Sequence, residues 1–193
     1  MKWKTDLSTA KRCNAFIAGL LIGLGVIINA QITPPILGAL LFSFGLLTII
    51  HLKIPLFTGR IGFIKTETNL IGTLLFNLIG IAWVIFIYCC ANPNFLSILR
   101  TAAVVKFSKT YMQMLFCGVI CGILIHFAVK CKVSYITSMA VIIFILTGAE
   151  HCIADFPYLL INFNLINLTK FILVILGNSI GAIIIERLLK IDG

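Results

Sequence analysis

Charge is what this sequence most lacks. Of its 193 residues, 11% are Asp, Glu, Lys or Arg, and only six are acidic. Soluble domains carry about 25% charged residues. No charge occurs from Cys13 to Leu52, from Thr68 to Leu99, or from Thr110 to Val129. A helix crossing a bilayer needs ~20 apolar residues, so six crossings take ~120. Only short loops remain. That leaves no room for a soluble domain and excludes most enzymes with a water-filled cleft, as well as any nucleic-acid-binding module. A membrane β-barrel needs alternation over ~10-residue strands, and these runs do not alternate. An all-α membrane protein that is not an enzyme is the expectation.

Metal spacing is missing too. Seven cysteines are present, mostly inside apolar runs. Cys117 and Cys121 stand four apart, with no His at a zinc-finger interval. They read as small apolar fillers, and no metal or cofactor is expected. Lys2, Lys4, Lys11 and Arg12 precede the first apolar run, and Ile28-Asn29-Ala30 resembles a cleavage site. The glycines between Ala15 and Ile28 are echoed later in the chain, which favours a retained span over a cleaved leader.

Proline is scarce, and it marks boundaries. Six spans are expected: residues 14–32, closed by Pro34-Pro35; from Ile36 to Lys53 and Pro55; residues 69–91, closed by Asn92-Pro93; residues 111–129; from Ser134 to Asp155, before Pro157; and residues 168–189. Spans 2 and 5 are interrupted. Lys53-Ile54-Pro55-Leu56-Phe57-Thr58-Gly59-Arg60 breaks the first. Gly148-Ala149-Glu150-His151-Cys152-Ile153-Ala154-Asp155 breaks the second. Pro removes a backbone donor and Gly loosens a helix. Broken backbone at membrane depth must face protein or a watery cavity.

The chain also repeats itself weakly. Gly19-xxx-Gly23 returns as Gly118-xxx-Gly122, and Asn77-Leu78-Ile79-Gly80 as Asn178-Ser179-Ile180-Gly181. The two breaks share an offset of about a hundred residues. Three spans per half require opposite insertion. The reading is one transmembrane domain over residues 1–193, with inverted repeats near 14–91 and 106–189. Paired interrupted spans in inverted halves point to a substrate path between them. Basic residues are somewhat richer on the side of the termini, which places both ends in the cytoplasm.

Taken in order, these elements resemble the formate/nitrite transporter family. The resemblance rests on Phe42-Ser43-Phe44-Gly45-Leu46 followed by Pro55-Leu56-Phe57-Thr58-Gly59, on Gly148-Ala149-Glu150-His151-Cys152-Ile153-Ala154-Asp155, and on Leu176-Gly177-Asn178-Ser179-Ile180-Gly181. Lys106 stands at the family's spacing before Phe116-Cys117-Gly118-Val119-Ile120-Cys121. The resemblance implies an aquaporin-like homopentamer in the plasma (inner) membrane, with one pore per protomer. It implies passage of small monovalent weak-acid anions such as formate or nitrite, with protons, and hydrosulfide as the alternative. Phe42, Leu46 and Phe144 would form one apolar ring; Leu56, Phe57 and Ile125 would form another. Thr58, His151 and Asn178 would be the polar groups between them, and Lys106 would draw anions in. Pro55, Gly122 and Asp155 depart from the family's pattern, which has an acidic residue, Asn and Asn at these places.

His151 is the strongest single candidate. An imidazole beside a broken helix can hydrogen-bond an anion and carry or supply a proton, since its unperturbed pKa is about 6.5. The plainer reading is a packing histidine. His51 could cap the first half of span 2, and His126 could pair across spans. Thr58 could turn its hydroxyl and neighbouring amides toward an anion, or cap the second half-helix locally. Glu150 is expected to be structural, accepting from unwound backbone. Lys106 is either a loop lysine in water or an anion attractor. Lys53 needs a partner or must snorkel.

Overall fold

In lipid, a chain with apolar runs of this length satisfies its backbone by forming helices. The computed structural model describes residues 7–63 and 69–191, and among them every regular element is helical. In chain order these are α1 (Leu7–Asn29), α2 (Pro35–Leu52), α3 (Phe57–Arg60), a 3-10 turn (Ile61–Phe63), α4 (Leu70–Ala91), α5 (Phe95–Phe107), α6 (Tyr111–Cys131), α7 (Ser134–Leu146), α8 (Cys152–Ile161) and α9 (Leu165–Leu188). Lys2 and Lys4 of the basic N-terminal tail lie outside the described residues.

Local chemistry sets the boundaries. Pro35 opens α2 where a missing N–H costs nothing. Asn69 caps α4 through Gly72 N, and Asn164 caps α9 through Asn167 N. Thr110 and Gln113 form a capping box at the head of α6.

Among the described residues, five helices are long and apolar enough to cross a membrane: α1, α2, α4, α6 and α9. The fifth expected span is instead divided into α7 and α8, of 13 and 10 residues. α1 begins at Leu7, about two turns before the expected start. α5 was not anticipated, and it corrects the reading of Lys106 as a loop residue. Its buried Phe95, Leu99, Ala103 and Phe107 recur every fourth position and pack toward α8. Arg100 and Lys106 break up the apolar run and hide that period.

The main pairings are α1 with α4 and α6 with α9, with α2 lying against α1 and α7. Glycine makes the first two close. A Cβ on Gly19 or on Gly122 would overlap the carbonyl oxygen of Asn77 or Asn178, respectively. The glycine equivalent to Gly19 is therefore Gly122, one turn beyond the Gly118 that the sequence pairing suggests. The distribution of polarity reverses that of a soluble protein. Ile71, Phe86 and Leu165 are exposed, while Thr58, Asn77, Glu150, His151, Asp155 and Asn178 are each at most 2% exposed.

Gly122→Val tests the close approach of α6 to α9. Overpacking there is expected to cost about 1–3 kcal/mol, read as a lower melting temperature of the purified protein in detergent. An unchanged melting temperature would show that the helices separate at no cost.

Candidate functional site

Two helix breaks built in the same way face each other. α2 stops at Lys53, with φ 55, and α7 stops just before Gly148, with φ 68. In each, the left-handed residue turns the chain so that the next amide reaches back. Ile54 N donates to Ile49 O at 3.2 Å, and Ala149 N donates to Phe144 O at 2.9 Å. Lys53 pays a small penalty for this conformation that Gly148 avoids.

Beyond each stop, an asparagine from a neighbouring helix holds the start of the next one. Asn77 of α4 accepts from Phe57 N at 2.8 Å and donates to Ala15 O and Pro55 O at 2.7 and 3.1 Å. Asn178 of α9 accepts from Cys152 N at 2.9 Å and donates to Gly118 O and Glu150 O, both at 2.8 Å. Three hydrogen bonds from one buried amide tie two helices and a break together. Unpaired, such backbone groups would cost several kcal/mol each in lipid. The N–H of Phe57, one of the amides beside Thr58 expected to turn toward an anion, is therefore occupied, and so is that of Cys152.

His151 is the N-cap of α8, and its Nδ1 accepts from Ala154 N at 3.2 Å. A neutral ring that accepts at Nδ1 carries its proton on Nε2. Nε2 lies 2.8 Å from Thr58 Oγ1 and donates to it. The hydroxyl proton of Thr58 is then free to point elsewhere. Thr58 does not cap α3, because Leu56 holds that position. The two breaks thus meet through one side-chain hydrogen bond.

Apolar groups flank this pair. Phe144 stacks on the His151 ring at 6.0 Å between centroids, and Phe42 meets Phe144 edge-on at 5.7 Å. Leu46, Leu56, Phe57 and Ile125 are all buried in the same core. A cavity of about 130 Å³ lies beyond Phe42 and Phe144, and His151 contributes to its wall. At the other end Leu56 borders a cavity of about 450 Å³ that is also lined by Lys53, Arg60, Lys130 and Lys132. Leu46, Phe57 and Ile125 line neither cavity.

The smaller cavity is charged. Lys106, in the last turn of α5, contacts Glu150 and lies 2.9 Å from Asp155 Oδ1. Lys109 Nζ lies 2.5 Å from Glu150 Oε1 and donates to Gly148 O at 2.8 Å. Glu150 thus has two ammonium partners, and its backbone carbonyl is held by Asn178. Lys109 and Asn77 were not singled out from the sequence. Lys109 stands three residues after Lys106, just past the end of α5, and Asn77 opens the very repeat that contains Asn178. Gly122 meets the backbone of Asn178 and borders neither cavity.

The remaining histidines lie elsewhere. His51 bonds to Leu47 O on the exposed side of α2. His126 pairs across helices with Glu186 at 3.0 Å, where Lys130 and Lys190 also converge at 2.8 and 2.7 Å. Lys53 is exposed, and its carbonyl accepts from Arg60 at 3.2 Å. The cysteines are all unpaired.

The arrangement of two broken helices joined by a buried polar pair beside apolar side chains can be compared with known proteins. The family model described as "Formate/nitrite transporter" matches residues 4–191. The chain belongs to the formate/nitrite transporter family. Two solved structures share the family fold. One, an "FNT family ion channel", has a TM-score of 0.84 at 21% identity and covers 96% of this chain and 90% of its own. Another, a "Pentameric formate channel with formate bound", has a TM-score of 0.75 at 20% identity and covers 94% of this chain and 95% of its own. No curated protein sequence matches the chain. As a member of a transporter family with several apolar helices, the chain is a membrane transport protein.

The asparagine clamp has a local readout. Asn178→Ala should orphan buried backbone groups at about 1–3 kcal/mol each and raise deuterium exchange at the Cys152 amide well above that at the Phe57 amide. Equal exchange at the two amides in the variant would contradict the clamp.

Proposed function

We propose that this formate/nitrite transporter family member conducts small monovalent weak-acid anions, formate or nitrite, with His151 assisting their protonation. One observation carries the reading: the hydrogen bond between Thr58 and His151 joins two broken helices between two cavities, with aromatic and aliphatic side chains on either side. The chain would cross the membrane six times in two inverted halves. α7 and α8 together would make the fifth crossing, and both termini would face the cytoplasm. The cavity lined by Lys53, Arg60, Lys130 and Lys132 would then open inward, and that of Lys106 outward. Five copies would form the assembly in the plasma (inner) membrane, each with its own path. The matched formate channel is described as a pentamer, which supports that stoichiometry.

The physics of the path supports a weak acid over a bare ion. An unpaired charge in an apolar constriction is very costly, and a neutral acid of the same size costs far less. Phe42 and Phe144, with Leu46 behind them, would form the outer ring; Leu56, Phe57 and Ile125 would form the inner one. Between them the His151 N–H orients Thr58, and the Thr58 hydroxyl offers its proton to a permeant oxygen. Basic residues at the inner cavity raise the local anion concentration. Lys106 is held against the carboxyl groups of Glu150 and Asp155, so it contributes to the mouth as part of a cluster. Asn178 supports the path by fixing the break from behind.

Proteoliposome flux of formate, nitrite and hydrosulfide tests the reading, with protein-free vesicles subtracted. At least one of the three should pass, and passage of none would refute it. His151→Asn keeps a good helix cap but cannot titrate. In the correctly assembled variant, weak-acid flux should fall and lose its dependence on pH between about 5 and 8. Wild-type pH dependence in that variant would remove His151 from the proton step.

A further inference from the structure

The outer cavity contains a carboxyl group that the path described so far does not use. Asp155 sits in the first turn of α8 and is 2% exposed. Its Oδ1 lies 2.9 Å from Lys106 Nζ. Its Oδ2 is buried and has no hydrogen-bond partner among the described residues. Asp155 lines the cavity of about 130 Å³ together with Phe42, Phe144 and His151. A buried carboxyl oxygen without a partner costs about 1–3 kcal/mol. The cavity that Asp155 lines places this carboxyl group beside the space a small solute would enter.

The charges around it are unequally shared. Glu150 contacts both Lys106 and Lys109, while Asp155 has Lys106 as its one ammonium partner among the described residues and also faces the Glu150 carboxyl group. Two carboxyl groups on one ammonium disfavour both being ionised. The one with the weaker claim on positive charge is the one to hold a proton. Tyr158 and Cys152 from α8 and Cys121 from α6 also stand within electrostatic reach of Asp155. None of these brings a second cation.

The geometry points to Asp155 as the proton-exchange site of the outer cavity, handing a proton from Oδ2 to the entering weak-acid anion. This rests on the reading that weak acids pass through the protein. The Oδ2–H bond breaks, and an O–H bond forms on an oxygen of the anion. The bonding pair stays on Asp155, whose new carboxylate is held by Lys106. The neutral acid moves past Phe42 and Phe144. A proton from water outside restores Asp155, so one anion and one proton enter together. Past the ring the Thr58–His151 pair takes over the acid and its proton, so flux still requires His151 at this second step.

Asp155→Asn keeps the shape and removes the exchangeable proton. In vesicles at about pH 7, where small carboxylic acids are ionised, formate flux should fall roughly tenfold or more. It should approach wild type as the external pH drops and the solute brings its own proton. Asp155→Glu should recover part of the loss. If the wild type conducts formate and Asp155→Asn conducts it equally at every pH, the inference is overturned while the transport reading stands. If the wild type conducts no weak acid, it is the transport reading that fails. Infrared difference spectra of the wild type cover the case of a variant that does not assemble. Formate should bleach a protonated-carboxyl band, and no change in that band overturns the inference.

Discussion

A helix that stops inside a membrane leaves amides and carbonyls with no water to bond, and this structure depends on how that debt is met. Two asparagines meet it, one for each break. Asn77 and Asn178 each receive one amide proton from the helix that restarts and give two of their own to carbonyls, one of which lies in the break itself. These clamps work only because α4 and α9 lie close to α1 and α6, and that closeness depends on Gly19 and Gly122. Small residues at a helix interface let backbones approach in this way.

The two breaks share a scaffold and differ in chemistry. Where Leu56 stands at the head of α3, His151 stands at the head of α8. The first gives an apolar wall beside a basic cavity; the second gives a titratable ring that reaches Thr58 across the gap. At the position before each clamped turn, Pro55 O and Glu150 O accept from the asparagines, but only Glu150 brings a charge. Lys106 and Lys109 answer it. The cavity beside Glu150 therefore holds charges of both signs, while the one beyond Leu56 carries Lys53, Arg60, Lys130 and Lys132. Small weak acids would meet opposite ends of the path in different electrostatic settings.

Much of this was legible in the sequence. Uncharged runs located the long helices, since composition over ~20 residues is a strong signal in membrane chains. The breaks were visible from Pro55, Gly148 and the polar residues beside them. Thr58 and His151 were both named, but that they touch is a contact between residues 93 apart, and no local pattern encodes it. α5 was missed because charges interrupt its four-residue apolar period. Lys109 was passed over because its role depends on the fold of Gly148 and Glu150 around it. The glycine repeat was seen in the wrong register by one turn, because Gly-xxx-Gly matches itself at either glycine and only packing tells which one meets the asparagine.

The central claim is that an apolar ring with a polar pair beyond it passes a small weak acid and stops a bare ion. Chloride is close in size to the proposed permeants but takes no proton near neutral pH. Side-by-side chloride and formate flux should be measured in assembled wild type and in a Phe42→Ala/Phe144→Ala double variant. The account predicts formate without chloride in the wild type, and both ions in the variant whose ring has been opened. Chloride passing the wild type as readily as formate would contradict it.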